Sequence, residues 1–200
     1  MNALIDVFGS IIAGSVVVLT ILTSIFNIQQ INYNINAFLH LNEAANHFIE
    51  VVDMAYFEPV GRNMLTTDNP IKVAARNRLI YENRSTPNGA PITYTIEMRF
   101  INNRNTFIVT EQMTPTSSVV EVYRSPYALE SLDIFTYYGR DDNELTFDAV
   151  TNSITNTNSV YGVKVDLVFI TEAWSNSDDH NIRYPITFWR YFKNIYLVRG

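Results

Sequence analysis

Cysteine is missing from all 200 residues, which removes disulfide staples, thiolate zinc sites and a cysteine nucleophile. Lysine and arginine are missing from the first sixty-one positions; all fourteen fall from Arg62 onward. Between Val7 and Ile28 there is no charge of either sign, and no Pro or Gly interrupts the chain between Ser15 and Glu58. Clustered basic residues are also lacking, and the net charge of −6 argues against a nucleic-acid groove. What is present excludes a disordered chain: 47% of residues are hydrophobic, with twelve Tyr and twelve Phe. The length suits one domain of ordinary size, or a smaller one with an appendage.

The uncharged run VFGSIIAGSVVVLTILTSIFNI holds 22 residues. At 1.5 Å per residue that is roughly 33 Å of helix, enough to cross a bilayer core. Its Ser and Thr hydroxyls can bond to the helix backbone. A cleaved secretory signal would want basic residues ahead of a shorter apolar stretch and a small-residue site behind it. Only Asp6 and the chain amine precede this run, so a retained span at about 7–28 is expected. Beyond it, Ile28, Ile31, Ile35, Phe38, Ala45, Ile49, Val52 and Tyr56 recur at steps of three and four, with Asn42 as the interruption. Pro59 and Gly61 supply a stop. The expectation is one helix of about 50 to 57 residues, roughly 75–85 Å long. Its first half is lipid-compatible and its second half presents an apolar stripe. The absence of basic residues after the span fits an exported C-terminal side.

From Gly61 the texture changes to short β-branched and aromatic runs. ITYTIEMRFI (Ile92 to Ile101) and NTFIVTEQM (Asn105 to Met113) flank Asn102-Asn103-Arg104 and read as a hairpin. Further strands are expected over Val119 to Ser125, Ser131 to Gly139, Glu144 to Val150, Tyr161 to Trp174 and Thr187 to Val198. Asn69 to Ile80 fits either a short capped helix or a strand. The fold class is therefore α+β: a long N-terminal helix over 1–60, packed on an antiparallel β-rich head over 61–200.

This layout resembles type IV pilins and pseudopilins, and more narrowly the PilW-like minor pilins. IEVVDMAYFEPVGRNM (Ile49 to Met64) is similar to the end of that family's helix. The strand pair around ITYTIEMRF resembles its first hairpin, and TFWRYFKNIYLVRG sits where its members finish with an aromatic strand and basic residues. Family precursors carry a basic-Gly cleavage site before a Phe or Met, then an acid at the fifth mature position. Asp6 lies one position from that acid if Met1 is the true start. The resemblance implies a structural subunit of a type IV pilus-like or pseudopilus filament. Its partners would be copies of itself or sister subunits, and the membrane through its helix. It would be an inner-membrane single-pass protein with an exported head, and would stand in the periplasm or at the cell surface once assembled.

The residues add their own argument. An acid at the lip of an apolar span is costly in lipid unless paired, so Asp6 can fix the stagger of a helix bundle, against a carboxylate merely sitting in interfacial water. Gly9 with Ala13 and Ser10 with Gly14 form two small-xxx-small pairs that let helices approach, against the ordinary Gly and Ser content of a single span. Glu50 and Asp53 are expected to meet Arg62, Arg76 or Arg78 of a neighbouring head. His40, Glu43, His47 and Glu50 share a helical spacing that can ligate metal, or form a solvated polar face. No cofactor is expected. The ligand weighed is calcium, with Asp141, Asp142 and Glu144 beside Asn143 and Asp148, and a second run at Asp178 and Asp179, against ordinary hairpin loops. Tyr137, Tyr138, Trp174, Trp189 and Tyr191 could line a glycan site, or be core and cross-strand pairs. No nucleophile motif or phosphate loop is present, so no enzyme is expected. The rival to a filament subunit is a single-span envelope protein whose head binds a partner without polymerising.

Overall fold

A computed structural model describes residues 2–65, 68–174 and 181–199. The helix α1 runs over Asn2–Val52, about 76 Å of rise, and ends in a π-helical turn at Asp53–Phe57. The Glu58 N–H closes that turn on the Asp53 carbonyl at 2.8 Å. Gly61 then takes φ +78°, a conformation that costs glycine no side-chain clash. A Cβ there would stand 2.9 Å from Cγ1 of Ile195.

Among the described residues nine strands follow, all paired antiparallel: β1 (Ile71–Ala75), β2 (Arg78–Arg84), β3 (Pro91–Ile101), β4 (Arg104–Gln112), β5 (Val120–Arg124), β6 (Ala128–Leu129), β7 (Phe135–Tyr138), β8 (Gly162–Glu172) and β9 (Asn181–Tyr191). The sheet runs β1-β2-β3-β4-β6-β8-β7, with β5 added to β4 and β9 to β8. A short helix α2 (Lys193–Arg199) follows β9. The chain is thus one long helix packed on a nine-stranded antiparallel sheet.

The hairpin expected at Asn102 is present, and its turn is tighter than expected. Asn102 and Asn103 alone form the loop, at φ 50° and 61°, and Ile101 pairs directly with Arg104. Both residues in the left-handed region give the turn a twist that matches the flanking strands. The ambiguous stretch at Asn69 to Ile80 resolves as the β1–β2 hairpin.

Three strand expectations are corrected. Ser131 to Gly139 contributes only Phe135–Tyr138. Glu144 to Val150 is not a strand: beyond an isolated bridge between Glu144 and Tyr138, its backbone is diverted. There the Asp148 carboxylate accepts the N–H groups of Val150 and Thr151 at 3.0 and 2.8 Å, a local alternative to a ladder. Thr187 to Val198 is strand only as far as Tyr191. The Phe192 N–H then bonds to the Tyr161 carbonyl and the chain coils into α2, burying Phe192 and Ile195.

The stripe on α1 is corrected in part. The fully buried face is Leu41, Ala45, Phe48 and Val52, with Ile49 and Tyr56 at its flank, whereas Ile28, Ile31 and Ile35 remain 53–58% exposed. The expected series has a seven-residue repeat. On a straight helix of 3.6 residues per turn such a stripe drifts by about 20° each heptad, so over four heptads it turns roughly 80° away from the sheet. Asn42, the interruption, is a contact: its Oδ1 accepts the Tyr184 hydroxyl at 2.7 Å.

Leu41 to Val52 belongs to the same core cluster as β2, β4, β8 and β9. The division at residue 60 is therefore one of secondary structure and not of packing. Phe48 is the hub, its ring 5.0 Å from Phe107, 5.4 Å from Phe169 and 6.0 Å from Tyr123.

Candidate functional site

The feature that asks for a function is the part of α1 that the head leaves bare. From Leu4 to Leu22 every large apolar side chain is 52–68% exposed, as on a helix with no neighbour on any side. Counting to Phe26, fourteen large apolar side chains are involved. Removing their remaining surface from water is worth on the order of 10–20 kcal/mol, comparable to the whole stability of a domain. This helix is long and apolar enough to cross a membrane.

Its hydroxyl groups are satisfied for that environment. Ser10, Ser15, Thr20, Thr23 and Ser24 each donate a hydroxyl to the carbonyl four residues back at 2.8–2.9 Å. No hydroxyl in this run seeks a partner in lipid. Gly9 and Gly14 have open space where a side chain would project, and Ala13 and Ser10 stand one turn from each. The Asp6 side chain is exposed and has no ion-pair partner among the described residues.

Near the end of the bilayer-length run, contacts with the head begin at Phe26, whose ring meets Trp174 at 5.6 Å. Tyr33 meets the same indole at 5.7 Å, and the backbone N–H of Trp174 donates to Asn34 Oδ1 at 3.0 Å. Phe38 then meets Tyr184 at 5.4 Å. The alternate residues Ile182, Tyr184, Ile186, Phe188 and Arg190 of β9 face the core and helix, and their neighbours face solvent.

At the far end of this contact Arg190 forks onto Asp53, with both side chains about one-fifth exposed. The hydrogen bond to Asp53 raises the Arg190 guanidinium above its ordinary value, offsetting a smaller desolvation effect. Asp53, expected to face a neighbouring subunit, is occupied within its own chain. Glu50 remains exposed. Of its expected partners, Arg76 lies 4.3 Å over the Phe147 ring and donates to Asn152, so it is engaged within the head.

The other candidates disperse. His40 and Glu43 approach to 3.6 Å, both on the exposed side of α1. Among the described residues no three His, Asp or Glu side chains converge as metal ligands would. Asp141 and Asp142 sit in an exposed turn, and Glu144 bridges to Tyr138. Asp178 and Asp179 lie outside the described residues.

The five aromatics do not form one platform. Tyr137 is fully buried and donates to the carbonyls of Ala75 and Arg78 at 3.1 and 3.3 Å. Burial pushes its phenol well above the ordinary tyrosine value. Tyr138 and Trp189 pair at 4.5 Å on the outer face, with Tyr191 nearby on β9, while Trp174, beyond the end of β8, packs against α1. The sequence missed Arg190 and Trp174 as contacts of α1. Only the alternation of β9 hinted at Arg190, placing it in phase with Ile186 and Phe188.

The layout is pilin-like: an apolar N-terminal helix whose second half completes the core of an antiparallel β head. Comparison with protein-family models, curated proteins and solved structures finds no match in any of the three.

Proposed function

We propose that this chain is a structural subunit of a type IV pilus-like or pseudopilus filament, held in the membrane by α1 before assembly and bundled through α1 afterwards. The observation that carries this reading is the apolar stripe at Ile28, Ile31 and Ile35. Ile28 closes the bilayer-length run and Ile31 and Ile35 lie past it; all three are off the sheet and more than half exposed. A simple anchor has no use for an apolar stripe beyond the membrane, whereas a helix bundle does, and the seven-residue repeat is the spacing that helix–helix seams favour.

Asp6, Gly9, Ser10, Ala13 and Gly14 then act at the membrane end. The small residues admit a close neighbour, and Asp6 selects the stagger that gives it a cationic partner, such as a neighbouring chain's amino terminus. Glu50 stands at the periphery of the bundle. The head is exported and supplies the filament surface, and the role is structural rather than catalytic.

The test is to shear cells that make the chain and image the released material by electron microscopy, comparing the native chain with Asp6→Ala and Ile31→Gln. Thin helical filaments that contain the chain and are lost in both variants are expected. A protein that stays dispersed in the membrane fraction, native and variant alike, would refute assembly and leave a membrane-tethered binding module.

A further inference from the structure

We infer that Trp174 is a membrane-interface anchor that seats the β8–β9 end of the head directly on the phospholipid surface. The inference rests on the reading of Val7–Ile28 as a membrane span, and goes beyond it in fixing where the head stands.

Trp174 follows the last residue of β8 by two positions, at the end of the longest hairpin in the head. Its backbone is tied to α1 by the bond to Asn34, and its indole reaches back along the helix to lie between Phe26 and Tyr33. The ring remains about one-third exposed, so these contacts leave a face uncovered.

The depth follows from helix arithmetic. The uncharged run has its midpoint between Val17 and Val18. Phe26 therefore stands about 13 Å from the midplane and Tyr33 about 23 Å, for an untilted helix. The hydrocarbon edge is at about 15 Å, and the polar zone extends to about 20–22 Å. An indole held between those two residues falls near 18 Å, inside the interfacial zone. That is the layer in which Trp, with its apolar body and single N–H donor, is favoured.

Two features of this arrangement distinguish it from an ordinary core pair. Phe26 lies within the lipid-compatible run, so the head's first contact with α1 is made at membrane depth and not in water. Phe26 and Tyr33 also lie on the opposite side of the helix from Ile28, Ile31 and Ile35, since 100° per residue separates the two sets by about 140–180°. The anchor thus leaves the exposed stripe free.

The experiment uses the full chain reconstituted in phosphatidylcholine vesicles, zwitterionic so that the net charge of −6 does not oppose approach. Trp189→Phe leaves Trp174 as the single indole, and Trp174→Phe leaves Trp189. A third variant, Leu19→Trp with Trp174→Phe and Trp189→Phe, places the single indole in the span itself. Fluorescence is compared with lipid brominated near the headgroup end of the acyl chain and lipid brominated near its terminus.

Trp174 should emit to the blue of a water-exposed indole and lose fluorescence more to shallow bromine than to deep. Trp189 should lose none, and the indole of the Leu19→Trp variant should lose most to deep bromine. Trp174 unquenched while the span indole is quenched would overturn the anchor and leave the span intact. A span indole that is unquenched as well would overturn the span on which the inference rests.

Discussion

Truncating Phe48 to Ala should cost the head about 4 kcal/mol, within the roughly 3–5 kcal/mol seen for buried phenylalanine. Phe48 is fully buried and meets four aromatic rings: Phe107, Tyr123, Phe169 and Phe188. These belong to four strands, β4, β5, β8 and β9, so its removal leaves a cavity where the helix joins the sheet. Edge-to-face pairs contribute about 0.5–1.5 kcal/mol each beyond area burial, which places this site toward the upper part of the range. For a chain of this size, about 2–4 °C is lost per kcal/mol, so the melting temperature should fall by roughly 8–16 °C. The assay is near-ultraviolet circular dichroism during heating, on the full chain in detergent micelles. Phe8→Ala is the matched control, the same residue type on the same helix, 57% exposed with no partner in the head. It should leave the transition within about 2 °C, as surface changes do. A Phe48→Ala shift below about 3 °C, or equal shifts in both variants, would refute the view that α1 is half core and half membrane segment.

The Asp53–Arg190 pair should behave as a partly buried charge pair. Either Asp53→Leu or Arg190→Met alone should cost about 1–3 kcal/mol by stranding a charge, and the double variant should recover part of it. A urea double-mutant cycle in which the single variants match the native chain would remove the pair from the account. Alkali should unfold the head cooperatively. Burial pushes Tyr81 and Tyr137 well above the ordinary phenol value and Tyr123 up to about 12. These groups are raised in the folded state, so the stability they confer is complete below about pH 10 and is lost as pH rises toward 12. Phenolate absorbance should therefore lag and then step together with loss of the near-ultraviolet signal. Smooth ionisation of all twelve tyrosines around pH 10 would contradict this.

The parts of the fold that were legible in the sequence are those with local causes. The helix was visible because no Pro or Gly interrupts its second half and Pro59 with Gly61 ends it. The β3–β4 hairpin was visible because alternation on both sides pointed to the Asn102-Asn103 turn. What escaped depended on distant partners. TFWRYFKNIYLV alternates well enough to pass for a strand throughout. α2 forms where Asn194 ties into the turn that follows the π-helical end of the helix, its Nδ2 donating to the carbonyls of Glu58 and Val60 at 3.1 Å, and Ile195 fills the space beside Gly61. Those contacts span well over a hundred residues. Asp53 likewise read as a contact for a neighbouring head because its own partner, Arg190, is 137 positions away. The stripe on α1 was legible as a period, but its drift against the sheet decides which residues are core and which are left exposed.

That drift also settles which acids matter to the assembly proposed here. The head first touches α1 at Phe26 and Tyr33 and lies along it from Phe38 onward, so in the proposed bundle a neighbouring helix approaches closely over residues 4–35, about 48 Å of rise, on the side away from Trp174. Asp6 is the single charge in that stretch. Glu43 and Glu50 lie beyond it, where the heads hold the helices apart and water screens the repulsion between like charges. Asp53 is already neutralised by Arg190, so reversing it would damage the fit of helix to head before it reached any neighbour. Reversal at Glu50 is therefore the informative perturbation of the periphery, and loss of Asp6 the informative perturbation of the seam. Their effects should separate: Asp6→Ala should abolish filaments at every ionic strength, whereas Glu50→Lys should alter filament yield in a way that added salt erases. If Asp6→Ala were instead rescued by salt, the carboxylate would be acting at long range in water, and the seam would not include it.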